Sequence, residues 1–248
     1  MTPTGPAELL ATWEAGLAQH DSARSLLLHR AARPGAGADE LLSMPVGERE
    51  ADLFALRRAL FGERMQVRVE CASCGEAMEF DLDATLFGTR TRTPDGPLRV
   101  EEGEWAVELR LPTVADLAAA GAVPDPAQAR RVLVARCTVS AVRNGEDVAP
   151  ERLASLLPEH IQRRLAETAA EADPAADVTL NVACPECGEA TPAELDITSY
   201  LWTELDTWAR DLMLDVHLLA TAYGWSEPEI LALSPLRRRY YLELCADA

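Results

Sequence analysis

Two copies of one short motif, set far apart in the chain, constrain its fold more than any other feature. The first runs Val67-Arg-Val-Glu-Cys71-Ala-Ser-Cys74-Gly-Glu-Ala, and the second Leu180-Asn-Val-Ala-Cys184-Pro-Glu-Cys187-Gly-Glu-Ala. Aligned on the cysteines, Cys-x-x-Cys-Gly-Glu-Ala coincides, as do the preceding valines (Val69 and Val182) and the following Leu82-Asp83 and Leu195-Asp196. Val67 and Val69, like Leu180 and Val182, alternate into the cysteines, and Phe80 and Leu82 alternate out of the first copy. Period-two alternation around a tight turn predicts a strand, a knuckle and a strand in each copy.

Four thiolates suit a tetrahedral Zn²⁺, and a two-residue spacer lets one turn present two sulfurs to one ion. Gly75 and Gly188 fall just after the second cysteine, where a knuckle needs a backbone tolerant of positive φ. Cys71, Cys74, Cys184 and Cys187 are therefore the expected metal ligands, forming a zinc-ribbon-like pair of β-knuckles. A compact ribbon separates its two pairs by about 15–20 residues. Here 109 residues lie between Cys74 and Cys184, so either a large insertion divides the ribbon or each pair completes its site in another way. The matched flanks favour an insertion. A redox C-x-x-C requires a βαβ setting with the cysteines opening a helix, which neither copy has. A catalytic zinc keeps an open coordination position, which four cysteines close. Cys137 and Cys245 are expected to be small buried hydrophobes, not ligands.

The charge balance bears on partners. Against 41 acidic residues stand 23 basic ones, all arginine, for a net charge of −18. A chain this acidic is a poor match for a phosphate backbone or an anionic lipid surface, so neither nucleic acid nor membrane is an expected partner. No apolar run approaches the ~20 residues of a membrane span, and the first residues lack the basic and apolar regions of an export signal. A cytoplasmic location is expected, where thiols stay reduced and a disulfide framework is disfavoured.

The fold class expected is mainly α with a small β component, the ribbon-like module being embedded in a helical protein. The expected organisation is an N-terminal helical region (1–66), a two-part ribbon-like module (67–87 plus 178–198), an inserted α+β lobe (88–177) and a C-terminal helical region (199–248), together forming one compact unit. Helical spacing marks residues 6–31, with a break near His20-Asp21, and residues 48–61. A connector rich in Thr, Arg, Pro and Gly spans 88–96. Strands are expected at 98–100 and 105–111, and a helix capped by Thr113 at 114–120. Residues 127–141 fit a helix or a helix–strand mixture, Arg143-Asn-Gly-Glu a turn, and 150–172 one continuous helix. A long helix from Ser199 to Tyr223 ends at Gly224, followed by a Ser226-Glu-Pro-Glu229 capping box and two short helices.

No catalytic constellation stands out. His20, His29, His160 and His217 are scattered, and no phosphate-cradling glycine loop or G-x-S-x-G is present. His217, beside Asp215 in an apolar helix, is expected to be a core or interface histidine. Arg237-Arg-Arg239 is expected to be a solvated face or to pair with the protein's own acids.

Several segments in order carry a family resemblance. They are Glu8-Leu-Leu-Ala-Thr-Trp13-Glu, Leu42-x-x-Pro-Val-Gly-Glu-Arg49-Glu, the first C-x-x-C hairpin, Leu109-Arg-Leu-Pro-Thr-Val-Ala-Asp116-Leu, the second C-x-x-C-Gly, and a closing Tyr223-Gly-Trp-Ser-Glu-x-Glu-Ile-Leu-x-Leu-Ser234-Pro-x-Arg-Arg. The chain resembles the T4-type phage baseplate proteins, whose bacterial members are encoded in contractile, phage-tail-like gene clusters. That resemblance implies a baseplate or hub component, or a factor in hub assembly. The implied partners are baseplate, hub and spike proteins of a tail-like particle, with no enzymatic activity and no small-molecule substrate. Zinc rests on the cysteine spacing alone. The rival from another class is a zinc-ribbon module associated with nucleic acid or transcription.

Overall fold

The computed structural model describes residues 5–88, 94 and 96–246. Most of the connector expected at 88–96 lies outside the described residues. Among them the protein is mainly α, with strands confined to three small antiparallel sheets. The chain divides into two compact units. One is formed by its two ends, up to Ala31 and from Thr198 onward, and the other is Ala32–Ile197.

The first unit contains α1 (Pro6–Leu17) and nearly all of α2 (Asp21–Ala32), separated by the break expected near His20. Leu9, Leu10 and Trp13 form the buried face of α1, and the Trp13 indole N–H donates to Asp206 at 2.8 Å. A side chain on Gly16 would collide with the Trp202 ring, so close packing at that turn requires glycine.

Within Ala32–Ile197, α3 (Ala38–Ser43) and α4 (Val46–Phe61) precede the first cysteine hairpin, β1 (Arg64–Glu70) and β2 (Ala77–Asp83). A 3-10 turn, Ala84–Leu86, follows; the Thr85 amide donates to the Asp83 side chain at its start. Next come β3 (Leu98–Glu102) and β4 (Trp105–Leu109), then α5 (Val114–Gly121) and α6 (Pro126–Cys137). The Asp125 side chain accepts from the amides of Ala127 and Gln128, which starts α6. The mixture expected over 127–141 resolves here: α6 passes directly into β5 (Thr138–Arg143). Asn144 and Gly145 adopt φ of 50° and 83° in the two-residue turn to β6 (Glu146–Asp147), as a type I′ hairpin requires.

The single helix expected over 150–172 is two helices, α7 (Pro150–Leu156) and α8 (Glu159–Ala172). Pro158 disfavours the α conformation of Leu157, which sits at ψ 124° and breaks the helix. Periodicity of the leucines persists through the break, so hydrophobic spacing alone does not reveal it. Both helices cover one face of the four-stranded β3-β4-β5-β6 sheet. Val100, Trp105, Val107, Leu109 and Ala141 pack there against Leu153, Leu157, Ile161 and Leu165. At the end of α8, the buried Asp173 carboxylate accepts the Gly47 amide at 2.9 Å, at the start of α4. Burial pushes this carboxyl above its usual range, the Gly47 amide works against that, and Glu48 reinforces it.

The second cysteine hairpin, β7 (Thr179–Ala183) and β8 (Ala190–Glu194), ends this unit. The chain then enters α9 (Ile197–Tyr223), whose buried stripe includes Leu201, Leu205, Ala209, Leu212 and Leu219. Gly224 at φ 71° terminates it. Ser226 and Glu229 form the expected capping box at α10 (Glu227–Leu231), and α11 (Pro235–Ala246) follows. Trp225 stacks on Tyr223 at 4.6 Å and meets Tyr241 edge-on at 4.9 Å. No helix among the described residues is long and apolar enough to cross a membrane.

Candidate metal centre

The two hairpins are built alike. In the first, Val69 pairs with Met78 and Glu70 with Ala77; in the second, Val182 pairs with Thr191 and Ala183 with Ala190. These registers superpose under the shift of 113 residues that carries Cys71 onto Cys184. The knuckles repeat the same backbone bonds. Cys71 N–H donates to Glu76 O at 2.8 Å and Gly75 N–H to Cys71 O at 2.9 Å; Cys184 N–H donates to Glu189 O and Gly188 N–H to Cys184 O, both at 2.9 Å. Gly75 and Gly188 lie at φ 76° and 73°, a region that side chains strain to adopt.

The structure brings all four motif cysteines together across the insertion. Among the described residues they form a cluster whose sulfurs all lie within 4.8 Å of one another. Cys71 Sγ is 3.6 Å from Cys187 Sγ, and Cys74 Sγ is 3.6 Å from Cys184 Sγ. A disulfide would bring two sulfurs to about 2.05 Å, far inside these separations. A tetrahedron of thiolates about 2.3 Å from a central ion has edges of about 3.8 Å. The observed spacing therefore fits a four-sulfur metal site, and a donor set made only of thiols suits a thiophilic ion.

Each pair contributes one buried and one exposed sulfur. Cys71 and Cys184 are buried, packed with Met78 and flanked by Val69 and Val182, while Cys74 and Cys187 face solvent. Cross-pairing of the first cysteine of one knuckle with the second of the other gives the cluster an approximate two-fold symmetry. Thr191, the repeat partner of Met78, is also buried, and its hydroxyl oxygen accepts the Ala72 amide at 3.4 Å. Thr191 escaped the sequence reading, although its alignment with an inward-facing residue of the other copy was the available signal.

The electrostatics are shared unevenly. Amides of Cys74 and then Ser73 point at the Cys71 sulfur and hold its thiol down to about 6. At Cys74 the Glu76 amide acts downward, but the sulfurs of Cys71, Cys184 and Cys187 outweigh it, and the thiol is pushed up to about 12. Cys187 is likewise raised, its Glu189 amide being outweighed by Cys71 above all. Sulfurs this close resist carrying several negative charges unless a cation shares them.

The remaining residues singled out in the sequence lie apart from this cluster. Cys137 is buried, and its thiol is pushed up to about 11 by that burial and by Asp116. Cys245 is half-buried, so the expectation of a buried cysteine holds in full only for Cys137. His20, His160 and His217 are exposed, and His29 is buried; His217 thus faces outward and is not a core residue. Arg238 pairs with Asp215 at 2.9 Å and Arg239 with Glu243 at 3.1 Å, in line with pairing to the protein's own acids.

Comparison with known families places this architecture. The family described as T4 bacteriophage base plate protein matches residues 31–199. The chain belongs to this family. The matched stretch coincides to within two residues with the compact unit Ala32–Ile197, so both cysteine hairpins fall inside the baseplate-family region. The resembling segments at Glu8–Glu14 and from Tyr223 onward lie outside the matched residues. No curated protein and no solved structure gives a match. Baseplate-family membership implies a structural role in association with other tail and baseplate proteins.

Proposed function

We propose that this protein is a structural or assembly component of the baseplate or hub of a contractile, phage-tail-like injection system. In this reading Cys71, Cys74, Cys184 and Cys187 hold one structural Zn²⁺. The observation that carries it is the convergence of two matched hairpins inside the family-matched unit, with sulfur separations of 3.6 Å that suit a shared ion. Bound zinc would supply folding free energy, on the order of 10 kcal/mol in small zinc modules. The protein's own part is orientation: each knuckle fixes two sulfurs through its amide bonds, and Val69, Val182 and Met78 shield the buried pair. With all four tetrahedral positions filled by protein sulfur, no position is left for substrate, and the role is non-catalytic. The two-part module 67–87 plus 178–198 then ties off the lobe between its halves. Docking to baseplate, hub and spike proteins is the partner set that family membership supports.

Two measurements test this reading. Metal analysis of the purified chain is expected to give about one zinc per chain, lost in Cys71→Ser and Cys184→Ser but kept in Cys137→Ser. Clearly substoichiometric zinc, with the four thiols freely titrated in the native protein, refutes the metal assignment. Deleting the gene from its host is expected to abolish assembly of complete tail-like particles. Unchanged particle yield and length would refute the baseplate role.

A further inference from the structure

Within Ala32–Ile197, α6 and α8 leave a space between their facing sides. Leu133, Val134 and Cys137 on α6, and Ala166 and Ala169 on α8, follow the three- and four-residue spacing of a single helical face, and they line a cavity of about 400 Å³. The lining also takes in Leu109 and Leu165, members of the core that α7 and α8 form on the four-stranded sheet. Leu109, Cys137 and Leu165 are each at most 7% exposed, so the cavity opens into the core and is not a surface face. Alanine at 166 and 169 keeps the space open on the α8 side. At about 30 Å³ for a group the size of a water molecule, it holds roughly a dozen such groups. A mainly apolar cavity of this size with a few polar groups is the usual setting of a small-ligand site.

The polar groups of the lining select the occupant. Arg130 of α6 is exposed and has no partner among the described residues. Glu159 and Arg163, one turn apart on α8, pair at 3.8 Å with both side chains largely exposed, a contact of little strength. The Gln162 side-chain amide already donates to Leu157 O, and the Thr138 hydroxyl to Val134 O. Burial first, and then Asp116, push the Cys137 thiol up to about 11, so it stays neutral near physiological pH. Two arginines against one glutamate leave the lining one positive charge over, although the chain as a whole carries −18. A guanidinium presents the paired donors that a carboxylate accepts. Glu159 sets the limit on charge: it repels a doubly negative head, whereas a single negative charge balances the lining.

We propose that the cavity between α6 and α8 binds a medium-chain aliphatic carboxylate, its hydrocarbon chain among Leu133, Val134 and Leu165 and its head group at Arg130. This goes beyond the baseplate reading and rests neither on it nor on zinc, because none of the lining residues is among the four clustered cysteines. Titration calorimetry of the full-length, zinc-loaded protein with decanoate, below its micelle-forming concentration, is expected to show one saturable site per chain. Affinity should rise about tenfold for each two carbons from octanoate to dodecanoate. Decyltrimethylammonium, with the same chain and a cationic head, should bind at least about tenfold more weakly than decanoate. Arg130→Gln is expected to weaken decanoate about tenfold and to leave decanol unchanged. Ala169→Leu, which fills the cavity, is expected to abolish binding with helical circular dichroism unchanged. Decanoate should also shift the methyl NMR signals of Ala166 and Ala169 in the wild type, which locates the site without any variant. Absence of saturable binding overturns the proposal, and so do methyl shifts confined to other alanines or binding that survives Ala169→Leu. Decanol or decyltrimethylammonium bound as tightly as decanoate, or an Arg130→Gln variant that matches wild type, overturns the carboxylate assignment. Zinc content and particle assembly are read separately, so failure here is distinct from failure of the metal or baseplate reading.

Discussion

Asp116 has no exposed surface and gathers the ends of three elements. Its carboxylate accepts from Arg110 at 2.5 Å at the end of β4, from Arg136 at 2.8 Å near the end of α6, and from the Thr113 amide at 2.9 Å at the cap of α5. Burial alone would raise its pKa, but Arg110, Thr113 and Arg136 together hold it well below the usual carboxylate range. A carboxyl depressed in the folded state stabilises above its unfolded value of about 3.9, and that contribution fades as pH falls through the folded value. Asp116→Asn is expected to cost about 2 kcal/mol at pH 7, less than a fully buried pair because both guanidiniums are partly exposed. Urea unfolding at stepped pH checks this: the gap between variant and wild type should narrow below about pH 4. A gap constant across that range would mean that the charge contributes nothing.

At the scale of elements, the duplicated hairpin predicts matched sensitivity. Gly75 and Gly188 have open space around them, so a methyl there meets no neighbour and tests backbone strain alone. Gly75→Ala and Gly188→Ala are each expected to cost about 1–2 kcal/mol and to loosen zinc to a similar degree. Competition with a colorimetric chelator reads the second effect, and a large inequality between the two would mean that the knuckles do not share one ion. These knuckles were legible because chemistry is written into them locally: cysteine spacing, a glycine at positive φ, valines alternating inward. The capping box at Ser226 and the turn at Asn144-Gly145 were legible for the same reason. The break at Pro158 was obscured because leucine spacing runs on across it. The clamp on Asp116 and the seat of Asp173 on Gly47 join residues far apart in sequence, and no local pattern announces such a meeting. That the four cysteines converge was inferred from matched flanks; the separation of their sulfurs came only from the fold.

The molecule as a whole pairs a family-matched unit holding the cysteines with a helical unit drawn from both chain ends. A division into two compact units predicts two unfolding events. Calorimetry is expected to resolve two transitions, and a strong chelator should lower only the one belonging to Ala32–Ile197. Hydrogen exchange identifies which is which: protection in α9 should survive chelation while protection in β1, β2, β7 and β8 is lost. A single transition that shifts as one would instead show that the units are energetically fused. The expected boundary at 198/199 lies close to the observed one at Ile197/Thr198, whereas the joining of the two chain ends into one unit left no local mark, because it depends on contacts between segments far apart in sequence.

The span between the hairpins also sets a clock. Ribosomes add about 5–20 residues per second, so Cys184 emerges roughly 6–23 seconds after Cys71. For that interval the nascent chain offers one knuckle with two thiols, half a coordination sphere, while the sheet and helices of the lobe are still being made. An ion shared by the four sulfurs, as proposed above, would be captured late, once the lobe between has brought its two ends together. Under that proposal metal uptake would be a checkpoint on synthesis, passed only by chains that have already built the middle of the protein.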